Sequence, residues 1–132
     1  MILELGKKEV PQELLECLNE VGRLGGWDRL SSYLAFTVDS AYVKDDSGRP
    51  ILFIGAYQPS YLAYYKEVWL LASEHLRPHH LPELRRLMRD WIASQSHKIV
   101  ARCIDDKALR FANLMGFRPT VTENGVTILE AV

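Results

Sequence analysis

The sequence predicts an α/β domain built on a mixed sheet of six to seven strands with helices on both faces. Three observations predict this class: two β-rich runs joined by a polar turn in residues 33–57, an amphipathic helix between two apolar runs in residues 68–104, and an Asn-Gly pair between two β-rich runs near the C-terminus. A chain of 132 residues has the length of one domain. We therefore expect a single domain over residues 1–132.

The first half of the sequence predicts a helix followed by two strands. Apolar residues recur at helical spacing over residues 11–24, Pro11 suits the first turn, and Gly25-Gly26 ends the pattern. Residues 33–43 and 51–57 are rich in β-branched and aromatic side chains. The polar sequence KDDSGRP between them is typical of a turn, so the two strands are predicted to form a hairpin.

The second half predicts two strands that each lead into a helix, and then a final hairpin. Residues 68–72 are continuously apolar, as in a strand covered on both faces, and residues 98–104 form the next strand. The helix LPELRRLMRDWIASQ between them has an apolar stripe opposite its arginines. Asp105 or Asp106 caps a short helix that stops at Gly116, and Asn124-Gly125 turns the hairpin.

Composition and charge exclude several classes of function. Hydrophobic residues make up 48% of the chain and charged residues 25%, which is ordinary for a globular protein. The formal net charge of −1 gives no broad attraction to nucleic acid or anionic membrane, so we expect neither as a partner. No apolar run approaches the roughly 20 residues that span a bilayer, and the N-terminus lacks the pattern of a signal peptide. Cys17 and Cys103 show no pairing pattern, which favours reduced thiols in an intracellular protein.

Residues 67–119 carry the most informative pattern, which reads EVWLLAS, EHLRPHH, LPELRRLMRDWIASQ, KIVARCI and DDKALRFANLMGFRP. This order of strand, loop, helix, strand and short helix resembles the second half of the fold of the GNAT family of N-acetyltransferases. The resemblance implies acetyl-CoA as a cofactor and Glu67 as the base that deprotonates an amine. It implies that the pantetheine and pyrophosphate of the cofactor contact a strand and a loop, at Leu71, Ala72, Ser73, Arg77, His79, His80 and Leu81.

The sequence departs from the GNAT pattern at both of its landmarks. The family carries Arg/Gln-x-x-Gly-x-Gly/Ala where the loop meets the helix, because glycines let backbone N–H groups approach a pyrophosphate. Arg77 matches the first position, but His80 and Pro82 replace the glycines. Pro82 removes one N–H donor, and His80 adds bulk, although a protonated His80 could still contact a phosphate. Ala112 stands where the family often has a tyrosine that reprotonates the CoA thiolate, and Asp105 where it often has asparagine.

A narrower resemblance rests on VWLLAS, the basic helix without a glycine loop, and ALRFANLMGF. These motifs are similar to those of the small GNAT-like proteins of short-tailed bacteriophages, which are internal virion or virion-assembly proteins. The resemblance implies a non-catalytic protein of the host cytoplasm or phage virion, with a virion or host protein as its partner. The alternative is a divergent acyl-CoA-dependent N-acetyltransferase that acts on a protein or small-molecule amine.

For several candidate residues, the sequence leaves open both a chemical role and a purely structural one. Glu67 is either the base or an exposed carboxylate at a strand edge, and Cys103 is either a nucleophile near the thioester or a small core residue. The histidines of the loop EHLRPHH match no metal-ligand spacing, so we predict no metal site. Arg85, Arg86 and Arg89 form either a solvated helix face or a surface for phosphate, nucleic-acid backbone or an acidic partner.

Overall fold

Seven strands and three α-helices occur in the part of the chain that the structure, a computed structural model, describes: residues 1–6, 9–16, 35–60 and 62–131. The strands are β1 Ile2–Leu5, β2 Thr37–Lys44, β3 Pro50–Tyr57, β4 Tyr65–Ala72, β5 Lys98–Cys103, β6 Phe117–Glu123 and β7 Val126–Ala131. The helices are α1 Gln12–Leu15, α2 Leu81–Ala93 and α3 Asp106–Leu114, and a 3-10 turn Pro78–His80 precedes α2. The strands form one mixed sheet in the order β1-β2-β3-β4-β5-β7-β6. None of the described helices has the length and apolar character needed to cross a membrane.

The predicted mixed sheet is confirmed, and the structure corrects some of its boundaries. β1 was not predicted from the sequence, and it pairs antiparallel with β2, with Ile2 opposite Lys44. The strand predicted over residues 33–43 begins at Thr37. The helix predicted over residues 11–24 is seen as Gln12–Leu15, and its remainder, with the Gly25-Gly26 stop, lies outside the described residues.

The chain divides into two compact units, Met1–Tyr61 with Trp69–Leu76, and Leu62–Val68 with Arg77–Val132. β4 therefore contributes its first half to the second unit and its second half to the first unit. The single domain over residues 1–132 stays a prediction.

The core of the first unit forms around Trp69 of β4. Its ring packs 5.5 Å from that of Phe53, centroid to centroid, and its Nε1 donates a hydrogen bond to Oγ1 of Thr37 at 3.1 Å. The same cluster includes Leu14 of α1, which is fully buried. A Cβ at Gly55 would lie only 2.4 Å from the Trp69 ring, so this strand position requires a glycine. Trp69 is thus a core residue of the first unit.

The second unit places its two helices after strands β4 and β5, and ends in the predicted hairpin. Leu84 and Met88 form the buried stripe of α2. Asp105 is the N-cap of α3, because its side chain accepts a hydrogen bond from the N–H of Ala108 at 2.7 Å. β7 pairs antiparallel with both β5 and β6. The β6–β7 turn is made by Asn124-Gly125 with φ values of 52° and 77°, as its sequence predicts.

Candidate functional site

Glu67, the predicted base, is buried in the second unit. It is 4% exposed, and its Oε1 accepts a hydrogen bond from Nε of Arg102 at 2.7 Å. Arg102 lies on β5 and keeps 46% of its side chain exposed. The alternative that Glu67 is an exposed carboxylate at a strand edge is therefore wrong. The guanidinium supplies the charge-assisted hydrogen bond that a carboxylate needs when it is removed from water.

The pairing of β4 with β5 brings Glu67 and Arg102 together. These strands run parallel over four residue pairs, from Tyr65 opposite Lys98 to Val68 opposite Ala101. Glu67 stands opposite Val100, so Arg102 follows two residues later on the same face of β5. Sequence analysis missed Arg102, because the register between two distant strands cannot be read from either strand alone.

The predicted pantetheine-binding residues Leu71, Ala72 and Ser73 lie in the first unit. Leu71 is 3% exposed and belongs to the core cluster around Trp69. Ser73 donates its N–H to the carbonyl of Ile51 at 2.8 Å. Its hydroxyl donates to the carbonyl of Pro50 and accepts from the N–H of His75. The polar groups of Ser73 thus join β4 to β3, and Ala72 is half-buried beside it.

The predicted pyrophosphate loop, residues 77–82, lies in the second unit and uses most of its own N–H groups. The N–H of Arg77 donates to Nδ1 of His80 at 3.0 Å, and the N–H of His80 donates to the Arg77 carbonyl at 3.0 Å. The N–H of Leu81 donates to the carbonyl of Pro78. Pro78 and Pro82 have no N–H to offer. Among the backbone N–H groups of residues 77–82, that of His79 makes no backbone hydrogen bond.

His80 occupies the space that a glycine would leave open. Its side chain is buried, with the residue 8% exposed, and its ring centroid lies 4.0 Å from that of His79. Nδ1 of His80 accepts the hydrogen bond from the N–H of Arg77, so this ring atom is engaged within the loop. Contact between the His80 ring and a phosphate stays a prediction.

The loop does not fit a pyrophosphate held by backbone N–H groups. Such a cradle needs several successive donors that point outward from a helix N-terminus. Residues 77–82 offer one such donor, at His79, and place an imidazole ring at the position of the first glycine. The exposed side chain of Arg77 is the group of this loop that matches the GNAT pattern.

The second landmark also lacks the chemistry of the family. Ala112 is buried in α3 at 7% exposure and offers no hydroxyl for a thiolate. Cys103 is 6% exposed, which confirms that it is a core residue. Burial raises the pKa of its thiol to about 11, and the negative charge of Asp105 acts in the same direction. Cys103 is therefore not an activated nucleophile.

The described residues contain no group of three or more histidine, cysteine, aspartate or glutamate side chains placed to hold a metal ion. His75 approaches Glu74 at 3.9 Å in the first unit, and His79 and His80 lie against each other in the second unit. The chemical groups of the candidate site are the Glu67 carboxylate, the Arg77 and Arg102 guanidinium groups, and the His79 and His80 rings.

Comparison with solved structures identifies the fold. IAA acetyltransferase from Bacillus cereus matches with a TM-score of 0.68 over 98% of this chain and 97% of that chain, at 15% identity. The chain has the GNAT fold. A Bacillus subtilis acetyltransferase in complex with CoA matches with a TM-score of 0.67 over 98% and 96% of the two chains, again at 15% identity. The GNAT domain of PAT from S. lividans matches with a TM-score of 0.56 over 70% and 58%, at 15% identity.

These matches confirm the GNAT fold that the order of elements predicted, and at this identity they establish the fold alone. No family model and no curated protein matches the sequence. The GNAT neighbours include a complex with CoA, so the fold accommodates that cofactor in a related structure. Whether it serves this chain depends on the residues of its own loop.

Proposed function

We propose that this chain is a GNAT-fold protein that acts by binding a protein partner and does not transfer acetyl groups from acetyl-CoA. The observation that carries the proposal is the loop of residues 77–82. Its backbone N–H groups are engaged within the loop or removed by proline, except that of His79. The buried, unactivated thiol of Cys103 and the alanine at position 112 support it. One fold can carry many unrelated functions, so a GNAT fold without this chemistry is compatible with recognition of another protein.

The resemblance of VWLLAS and ALRFANLMGF to small bacteriophage proteins supports a virion or host protein as the partner. In that role the chain acts in the host cytoplasm or within the assembled virion. The solved structures named above are acetyltransferases or GNAT domains, so this part of the proposal depends on the sequence motifs.

An acyl-CoA-dependent N-acetyltransferase is the second candidate, and the structural neighbours favour it. Their names describe acetyltransferases, one of them in complex with CoA. Glu67 also favours it, because a buried carboxylate on β4 can take a proton from an amine that reaches it. For this candidate the acceptor is a protein or small-molecule amine, and Arg77 is the side chain that contacts the pyrophosphate.

Calorimetric titration with acetyl-CoA, together with thermal unfolding, separates the two candidates. We expect no saturable heat and no shift of Tm at millimolar acetyl-CoA for the wild-type chain. A ligand present at one hundred times its Kd would stabilise the fold by about 2.7 kcal/mol, which a small domain shows clearly. The double variant His80→Gly, Pro82→Ala restores small residues and an N–H, and is expected to gain measurable affinity.

Two arginine variants test whether any binding of acetyl-CoA depends on the loop of residues 77–82. Arg77→Ala removes the side chain that matches the GNAT pattern, whereas Arg86→Ala removes an exposed arginine that pairs with Glu83 at 3.6 Å on α2. Saturable binding to the wild type that is lost in Arg77→Ala and kept in Arg86→Ala would establish the second candidate. An assay of amine acceptors with Glu67→Gln as the inactive control would then follow.

A further inference from the structure

A groove of about 540 Å³ opens on the second unit, away from the loop of residues 77–82. Its walls come from the later turns of α2, the C-terminal end of α3 and the start of β6. Arg85, Arg89 and Ile92 line it from α2, at positions that share one helix face. Asn113 at the end of α3 and Arg118 at the start of β6 close the other side.

Three arginines give the groove one sign of charge. Glu83 pairs with Arg86 at 3.6 Å. Glu130 stands opposite Arg118 in the β6–β7 ladder and pairs with Lys98 at 2.6 Å. Arg89 has a loose contact with Asp90 at 3.5 Å, and both of these side chains are mostly exposed. Arg85 and Arg118 have no acidic partner within the described chain. The three guanidinium groups are therefore available to carboxylates or phosphates.

The floor of the groove is apolar. Met115 and Phe117 are each 3% exposed and contribute the buried part of the lining, and Ile92 is half-buried. Gly116 between them has φ 99°, a left-handed conformation that ends α3 before β6 begins. An apolar floor under a cationic rim matches a ligand that carries an apolar side chain beside its negative charges.

We propose that this groove binds an acidic peptide segment of a partner protein, with an apolar side chain on the floor and carboxylates on Arg85, Arg89 and Arg118. A compact anion such as phosphate would leave the floor uncovered. A nucleic-acid backbone needs a longer basic track than three residues, and the chain has a net charge of −1. The inference rests on the proposed function in that both require a protein partner, and it adds the surface and the chemistry of that partner.

Fluorescence anisotropy with a short labelled peptide, in which Glu residues flank Leu and Phe, tests the proposal. We expect saturable binding that weakens with salt, and a Kd about tenfold higher in Arg85→Glu and in Arg118→Glu. Arg86→Glu is the matched control, because it makes the same charge change on α2 outside the groove lining. Circular dichroism checks that each variant is folded. The peptide with Gln in place of Glu is expected to bind at least about tenfold more weakly.

Four results would overturn the inference. The first is no binding by the wild type, and the second is an equal loss in Arg86→Glu, which indicates diffuse charge attraction. The third is displacement of the peptide by inorganic pyrophosphate or short duplex DNA at equal concentration, which indicates an anion or nucleic-acid site. The fourth is a dimer that gel filtration detects for the wild type and not for Arg85→Glu, which indicates that a second copy of this chain occupies the groove. Acetyl-CoA binding that leaves peptide binding intact would overturn the proposed function and spare this inference.

Discussion

At the scale of single residues, Glu67 and Arg102 form a pair whose members differ in their access to water. The Glu67 side chain is 6% exposed, and that of Arg102 is 46% exposed. A guanidinium released from this pair can turn toward solvent, whereas the carboxylate would stay inside the second unit. The loss of one partner is therefore not equivalent to the loss of the other.

We expect Arg102→Ala to lower the free energy of unfolding by about 2–4 kcal/mol, because it leaves a buried carboxylate without its cation. Glu67→Gln keeps the shape and a hydrogen-bond acceptor, so its loss is expected to be about 1 kcal/mol. Urea unfolding near neutral pH, followed by circular dichroism, measures both values. Equal losses would show that Glu67 gains enough solvation in the variant to remove the asymmetry.

Cys103 gives a second prediction at this scale. A thiol whose pKa is raised from 9.0 to about 11 holds about one-hundredth of the ordinary thiolate fraction at mildly alkaline pH. Iodoacetamide should therefore modify Cys103 at least about a hundred times more slowly in the folded chain than in urea. Peptide mass spectrometry distinguishes this site from Cys17. Rapid modification in the folded state would contradict the burial and reopen a nucleophilic role.

At the scale of elements, the β2–β3 turn is held by one buried aspartate. Asp45 is 8% exposed. It accepts hydrogen bonds from the hydroxyl of Ser47 at 2.7 Å and its N–H at 2.9 Å, and from the N–H of Arg49 at 2.9 Å and its Nε at 2.8 Å. The Ser47 hydroxyl, followed by the bonds and charge of Arg49, lowers the pKa of Asp45 well below 3.8, against the opposing effect of burial.

Because of Asp45, the contribution of this turn to the free energy of unfolding decreases at acidic pH. The carboxyl has a lower pKa in the folded chain than in the unfolded one, so its contribution is complete above pH 3.8 and is lost as the pH falls through the folded value. The stability difference between wild type and Asp45→Asn should therefore shrink as the pH falls below 3.8. Asp46→Asn is the matched control, since Asp46 is 92% exposed and pairs with the N-terminus at 2.8 Å. Urea unfolding at a series of pH values measures both, and a constant difference for Asp45→Asn would contradict the assignment.

The 3-10 turn before α2 is the element on which the proposed absence of acetyl transfer rests. A GNAT loop offers free N–H groups, whereas this turn closes on itself through the pair of hydrogen bonds between Arg77 and His80. The same hydrogen bonds hold the residues that precede α2 in place without a ligand. An element that is already satisfied has little to gain from binding an anion, which is why the loop argues against the acetyl-CoA reaction.

At the scale of the whole molecule, the GNAT fold is kept at 15% identity to solved acetyltransferases. A fold depends on the pattern of apolar positions, which many sequences satisfy, whereas acetyl transfer depends on particular atoms at particular places. The departures fall at His80, Pro82 and Ala112, and each leaves the surrounding helix or turn intact. The fold of this chain therefore does not by itself establish a reaction.

Much of the second unit could be predicted from the sequence, because its signals are local. Asp105 caps α3 through its own nearby backbone, and Asn124-Gly125 turns the hairpin through φ angles that these residues adopt readily. The proline at position 82 lacks an N–H whatever the fold around it. β1 has only four residues and no turn signal that connects it to β2, so its pairing escaped a local analysis.

The sequence by itself determined the order of elements after β1, the GNAT-like class and the absence of the loop glycines, since these follow from residues close together in the chain. The tertiary structure decided that Glu67 meets Arg102, that His80 closes the loop, and that Arg118 joins Arg85 and Arg89 around an apolar floor. These contacts depend on strand register, on side-chain burial and on the docking of distant elements. Local propensity does not encode such relations, because they arise only when separate parts of the chain pack together.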